Sequence, residues 1–143
     1  MPYKFLDDIA TADVAFEAWG ATREELFAAS ASALLRTMVH DPEAVERREE
    51  IEVTVEDGEL DMLLFSFLQE LVFLKDARQL LLHPEMVRIA EKDGRFRLES
   101  VLLGERIDRQ RHPLVVDVKA VTLYRLRVAF ESGIWRCVVV LDV

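Results

Sequence analysis

Two aspartates near opposite ends of the sequence are the residues best suited to chemistry. Asp13 opens an otherwise apolar alternating run that continues to Trp19, and Asp142 is penultimate, next to the carboxylate of Val143. If the strand ending at Asp142 lies beside the strand beginning at Asp13, these oxygens converge. Two carboxylates about 4 Å apart repel by roughly 4 kcal/mol at an effective dielectric near 20. A divalent cation relieves that repulsion, and hard oxygen ligands select calcium, magnesium or manganese rather than zinc. The plainer reading makes Asp13 a turn cap and Asp142 part of a solvated tail, and spacing alone favours it.

The elements that must position these residues follow from periodicity. Val14, Phe16 and Ala18 alternate with Asp13, Ala15, Glu17 and Trp19, a short strand stopped by Gly20. Thr22 followed by Glu25 is a capping-box signature, and it opens a helix that runs to about Val39, ended by Asp41-Pro42. Ile51, Val53 and Val55 form a strand with one wet face, after the charged run Glu46–Glu50, which reads as solvated surface. Asp57-Gly58 then turns into the largest apolar feature of the chain, Leu60–Leu74. There Leu60, Leu63, Leu64, Phe67, Leu68, Leu71 and Leu74 line one helical face, and Met62, Phe65, Val72 and Phe73 carry apolar character round to the other. A helix apolar on most sides expects protein on most sides. It is too short for a membrane span, which needs about 20 apolar residues, and Asp61, Ser66, Gln69 and Glu70 interrupt it. The helix is predicted to fray near Lys75-Asp76.

The remainder reads as β. Val87 and Ile89 lead through Lys92-Asp93-Gly94 to Phe96 and Leu98, a hairpin. Gly104–Pro113 is polar and loop-like. From Val116 to Phe130 the chain alternates as one long strand that must bend or bulge, and Ser132-Gly133 turns it into a last strand, Ile134–Leu141. The prediction is one α+β domain over 1–143, two layers, with two helices packed on a mostly antiparallel sheet.

Composition narrows the function. The chain has 143 residues, 51% hydrophobic and 31% charged, with formal charge −9 and a pI near 4.8. Such a field repels phosphate backbones, which argues against tight direct nucleic-acid binding and favours metal cations or basic protein surfaces as partners. A single cysteine, Cys137, excludes an internal disulfide framework and fits a reducing compartment; the N-terminus MPYKFLDD has no apolar signal region, so the expected location is cytoplasmic. Phosphate-binding glycine loops, CxxC, HExxH and Gly-x-Ser-x-Gly are absent. His40, His83 and His112 are scattered and read as surface decoration, and Cys137 as strand packing without a histidine partner.

Several short strings, in order, resemble the archease family. They are Thr11-Ala12-Asp13-Val14 with Trp19-Gly20; Leu63-Leu64 with Phe67–Leu71; Gly104-Glu105; Arg111-His112-Pro113; Val118–Thr122; and Val140–Val143. The resemblance spans essentially the whole chain. It implies a small metal-binding accessory protein, not itself an enzyme, that assists an RtcB-type, GTP-dependent RNA ligase joining tRNA halves. It would promote guanylylation of the ligase and its repeated turnover. The family's metal ligands carry over onto Asp13, Asp142 and Val143, the last through main-chain or terminal oxygens, with calcium the expected ion. The family's lysine corresponds to Lys119, expected to orient an acidic group or a ligase residue. Two places depart from the pattern. The family's His-Thr-Ala-Asp lacks its histidine here, where Asp8-Ile9-Ala10 precede Thr11, and its Tyr-His-Asp is replaced by Leu123-Tyr124-Arg125. Asp7 and Asp8 add acidic character nearby. Two other readings remain open: a metal-dependent hydrolase using Asp13 and Asp142, and a metal-free protein-binding adaptor.

Overall fold

Alternation at the two ends of the chain and helical periodicity between them produce two helices packed on antiparallel sheets. The structure is a computed structural model, and it describes residues 2–7 and 13–143. In chain order the elements are β1 (Tyr3–Leu6), β2 (Asp13–Gly20), α1 (Arg23–Met38), a 3-10 turn (Pro42–Ala44), β3 (Glu49–Asp57), α2 (Leu60–Arg78), β4 (Leu80–Lys92), β5 (Arg95–Arg106), β6 (Ala120–Val121), β7 (Arg127–Glu131) and β8 (Ile134–Asp142). The predicted sheet is divided in two. One sheet has five strands, with β8 bonded to β2 on one side and to β6 and β7 on the other, and β1 outside β2. The second runs β3-β5-β4, and every strand pairing is antiparallel.

α1 begins as its sequence demands. Thr22 Oγ1 accepts the Glu25 N–H at 3.0 Å, and the Glu25 carboxylate reaches back to the Ala21 N–H at 2.8 Å. The reciprocal bond lands one residue earlier than in the usual box. α2 buries Leu63, Leu64, Phe67, Leu68, Leu71, Val72 and Leu74, each worth roughly 1.5–3 kcal/mol. Its ring stack with α1, Phe27 on Phe67 with centroids 6.3 Å apart, joins the two helices. Both helices touch both sheets, which is why α2 needs apolar side chains on more than one face. Contrary to expectation, α2 does not fray at Lys75: it continues to Arg78, and Lys75 is buried.

Both hairpins turn where predicted. Asp93 and Gly94 have φ 53° and 75°, and Ser132 and Gly133 have φ 53° and 80°, the left-handed pairs that suit two-residue turns. β4 and β5 reach further than predicted. Pro84 would ordinarily exclude a strand, but the register shifts between Pro84 and Met86, so a bulge absorbs it. Gly104 lies inside β5 rather than in a loop, and the position requires glycine because a Cβ there would sit 1.8 Å from Leu81 O. Ile107–Pro113 remains outside the strands, as predicted. The long strand from Val116 to Phe130 does not form; only Ala120–Val121 and Arg127–Glu131 are extended and paired, with Arg125 between them at φ 58°. Among the described residues no helix is long and apolar enough to cross a membrane.

Candidate metal centre

The strand carrying Asp13 lies beside the strand carrying Asp142. The β2–β8 register pairs Asp13 with Asp142 directly, then Ala15 with Val140 and Glu17 with Val138. Opposed residues of an antiparallel pair have Cβ atoms about 4.5–5.5 Å apart on one face, so both carboxylates stand at the same corner of the sheet. That face is turned away from the core, which takes Phe16, Ala18, Val139 and Leu141 from the alternate positions. Asp142 is exposed and Asp13 half-buried. Val143 points the other way and packs against the core, which tethers the end of β8.

On the far side of β8, Ala120 stands opposite Asp142, and the Lys119 N–H donates to Asp142 O at 2.8 Å. Lys119 is exposed and reaches the corner through its backbone rather than from within a strand. Thr122 continues the attachment, donating N–H (3.0 Å) and Oγ1 (2.9 Å) to Val140 O. Side chains of α2 hold this segment at three points. Gln69 Oε1 accepts the Val121 N–H at 2.9 Å, and Asp61 Oδ1 accepts the Val128 N–H at 2.7 Å. Lys75 Nζ donates to Val118 O at 2.6 Å and Asp117 at 2.5 Å, and lies 2.8 Å from Asp76. Burial opposes the Lys75 charge, but Asp117 and Asp76 outweigh it and its pKa is raised. Three of the polar residues of α2 therefore fasten the strip that carries Lys119 to the acidic corner.

The donors at the corner are all oxygen, a set that suits a hard divalent cation. Among the described residues no group of three or more histidine, cysteine or acidic side chains is gathered in a metal-binding arrangement. Asp13 and Asp142 are thus brought together as a pair. Asp8, Thr11 and Ala12 lie outside the described residues, and Asp7 is exposed.

A second polar cluster had no counterpart in the expectations. Glu105, at the end of β5, is only 4% exposed. Its carboxylate accepts from Arg111 Nη2 (2.5 Å), Arg111 Nη1 (3.2 Å), the Glu46 N–H (2.6 Å) and His112 Nε2 (3.1 Å). The Asp108 N–H donates to His112 Nδ1 at 2.9 Å, so the proton of the neutral ring is on Nε2. The Arg111 hydrogen bonds, ahead of the opposing effect of burial, bring the Glu105 carboxyl down from 4.5 to about 2. His112 and His83 are buried, not surface decoration: His83 Nε2 donates to Val45 O at 3.0 Å, and His40 alone is exposed. The signal available was an acid at 105 followed by a base and a histidine at 111 and 112, spaced to close a short loop. Cys137 is strand packing, as read; Ser30 Oγ lies 3.3 Å from its Sγ, and burial pushes the thiol up to about 11.

Comparison with known proteins gives a consistent answer. A model of the archease protein family (MTH1598/TM1083) matches residues 3–143. The chain is 35% identical over 142 residues to the archease of Methanopyrus kandleri, covering 99% of each, and 39% identical over 126 residues to that of Thermococcus gammatolerans, covering 87% and 88%. Among solved structures, the solution structure of protein 1598 from Methanobacterium thermoautotrophicum superposes with a TM-score of 0.87 at 34% identity, covering 99% of each chain. An archease from Thermotoga maritima, described as a possible chaperone, shares the fold with a TM-score of 0.61 at 19% identity over 96% of this chain and 97% of that one. With the family's model matched from Tyr3 to Val143 and relatives similar over most or all of their length, the chain belongs to the archease family.

Proposed function

We propose that this protein is a metal-binding accessory protein, not itself an enzyme, that activates an RtcB-type RNA ligase in the cytoplasm, promoting its guanylylation and repeated turnover in tRNA splicing or RNA repair. The observation that carries the reading is the register of β2 and β8, which sets Asp13 against Asp142 on the face turned away from the core, in a chain of this family. Asp13, Asp142 and the main-chain oxygen of Val143 would hold the cation, calcium first and magnesium or manganese as alternatives. A bound cation would supply positive charge that offsets the two carboxylates and offers coordination to a partner's oxygens. Lys119, exposed and anchored to Asp142 through its backbone, would meet an acidic group of the ligase. The acidic surface as a whole suits a basic face on that partner. The chaperone description of the Thermotoga relative agrees with an accessory role.

The test is multiple-turnover ligation with limiting ligase from the same organism. Stimulation by the native protein, reduced in Asp13→Asn and Asp142→Asn, is the expected result, and no stimulation by native protein refutes the reading. A calcium-dependent rise in melting temperature should vanish in Asp13→Ala. If the rise persists unchanged, the ion binds elsewhere.

A further inference from the structure

The five-stranded sheet carries opposite charge at the two ends of the face turned away from the core. Asp13 and Asp142 occupy one end. At the other, the registers line up Lys4, Glu17, Val138 and Arg127 in one row across four strands, and Trp19, Arg136 and Ala129 in the next. Arg127 and Arg136 are diagonal neighbours on this face, with Cα atoms about 7–8 Å apart. Arg125 joins them from the Leu123–Leu126 turn, which is closed by the Leu126 N–H to Leu123 O at 3.3 Å. The three arginines line one open cleft of about 570 Å³, whose lining also includes Leu126, Ala129 and Val138.

The charge balance there is unusual for a chain with net charge −9. Two carboxylates, Glu17 and Glu131, share the cleft with the three arginines. Glu17 is engaged by Arg136 at 3.4 Å. Among the described residues, neither Arg125 nor Arg127 stands within ion-pair distance of a carboxylate. Like charges held side by side on a sheet are destabilising, and an anion in the cleft would relieve them. A guanidinium fork matches the oxygens of a phosphate two at a time. A cleft of several hundred Å³ is within the size range of small-molecule sites.

We propose that this cleft binds a phosphate-bearing small molecule, with Arg125 and Arg127 as the recognising residues and Arg136 as the third donor. The cleft is separate from the acidic corner: Val138 and Asp142 are four residues apart on one strand, about 13 Å. The cleft shares no residue with that corner.

The test is calorimetric titration of the native protein with inorganic pyrophosphate and with AMP, in EDTA-containing buffer of low ionic strength. Saturable binding of either probe is expected. Arg125→Gln and Arg127→Gln should each weaken it about tenfold, the usual scale for losing one charge-assisted contact, and the double variant should abolish it. Both positions are exposed, so thermal unfolding of the variants should match native protein and separate lost contacts from lost fold. No saturable binding of either probe at millimolar concentration overturns the proposal, as does binding unaltered in the double variant. Tighter binding of an oligoglutamate peptide than of pyrophosphate overturns it too, since the cleft would then be a docking surface for acidic protein.

Discussion

Replacing Glu105 by glutamine probes the buried cluster most directly. In the native protein the carboxylate takes hydrogen bonds from Arg111, the Glu46 N–H and His112, and its pKa falls from 4.5 to about 2. That gap corresponds to roughly 3 kcal/mol between the charged and neutral forms. Glu105 also lines an open cleft beside the half-exposed Arg111, so solvent screens the pair and about 1–2 kcal/mol is a better figure. Glutamine also turns a donor toward donors already aimed at that position, which brings the cost near 2–3 kcal/mol at neutral pH. The sign of the pH dependence follows from proton binding. Folded, Glu105 stays charged down to about pH 2; unfolded, it takes up a proton near 4.5. Between those values the unfolded chain binds more protons, so native stability falls as pH falls, and above 4.5 the contribution is fully present. Glutamine does not titrate. Urea denaturation of native protein and Glu105→Gln across this range should give curves whose separation is constant above pH 4.5 and narrows by about 1–2 kcal/mol toward pH 2. A separation that is independent of pH, or below about 0.5 kcal/mol at pH 7, refutes the assignment.

Gly104→Ala should leave little folded protein, because its Cβ would meet the Leu81 carbonyl at 1.8 Å and backbone cannot step aside; soluble yield and circular dichroism read this. Lys75→Met keeps the stem but strands the buried Val118 carbonyl, costing about 1–3 kcal/mol. Amide exchange at Lys119 should speed up in that variant, since its bond to Asp142 O loses its support. In the native protein the raised Lys75 pKa means that this contribution is retained through neutral pH and lost only as pH climbs past the raised value. Cys137, buried and with its thiol pushed up to about 11, should resist alkylation at pH 8 until the chain unfolds. Stoichiometric labelling of native protein within minutes would count against that burial.

Much of the architecture was legible because local and global signals agree. Thr22 and Glu25 mark the start of α1, Asp93-Gly94 and Ser132-Gly133 mark hairpins, and the apolar surround of α2 announces a helix that touches both sheets. The pairing of Asp13 with Asp142 was conditional on strand adjacency, which alternation cannot supply, and the register supplies it. The misreadings share a cause: tertiary partners override local pattern. Alternation from Val116 to Phe130 suggested one strand, but the chain turns between β6 and β7, where Arg125 has φ 58°, and Asp61, Gln69 and Lys75 of α2 hold the separate pieces. Gly104 read as the start of a loop, yet it lies inside β5, where the missing side chain leaves room for the β4 backbone at Leu81. His112 reads as solvent-facing until Glu105, seven residues earlier, is known to fold back onto it.

The place of β8 has a consequence for how the molecule comes into being. It is the last strand in the sequence and the one on which β2, β6 and β7 all pair. Contacts between segments so distant in sequence carry a large loop-closure entropy and slow the search for the native state. During synthesis, β2 leaves the ribosome long before its partner exists, with Phe16 and the apolar edge of the strand waiting uncovered. The helices and the three-stranded sheet can form earlier from nearer neighbours. The acidic corner therefore cannot exist until β8 has been made and has docked on β2.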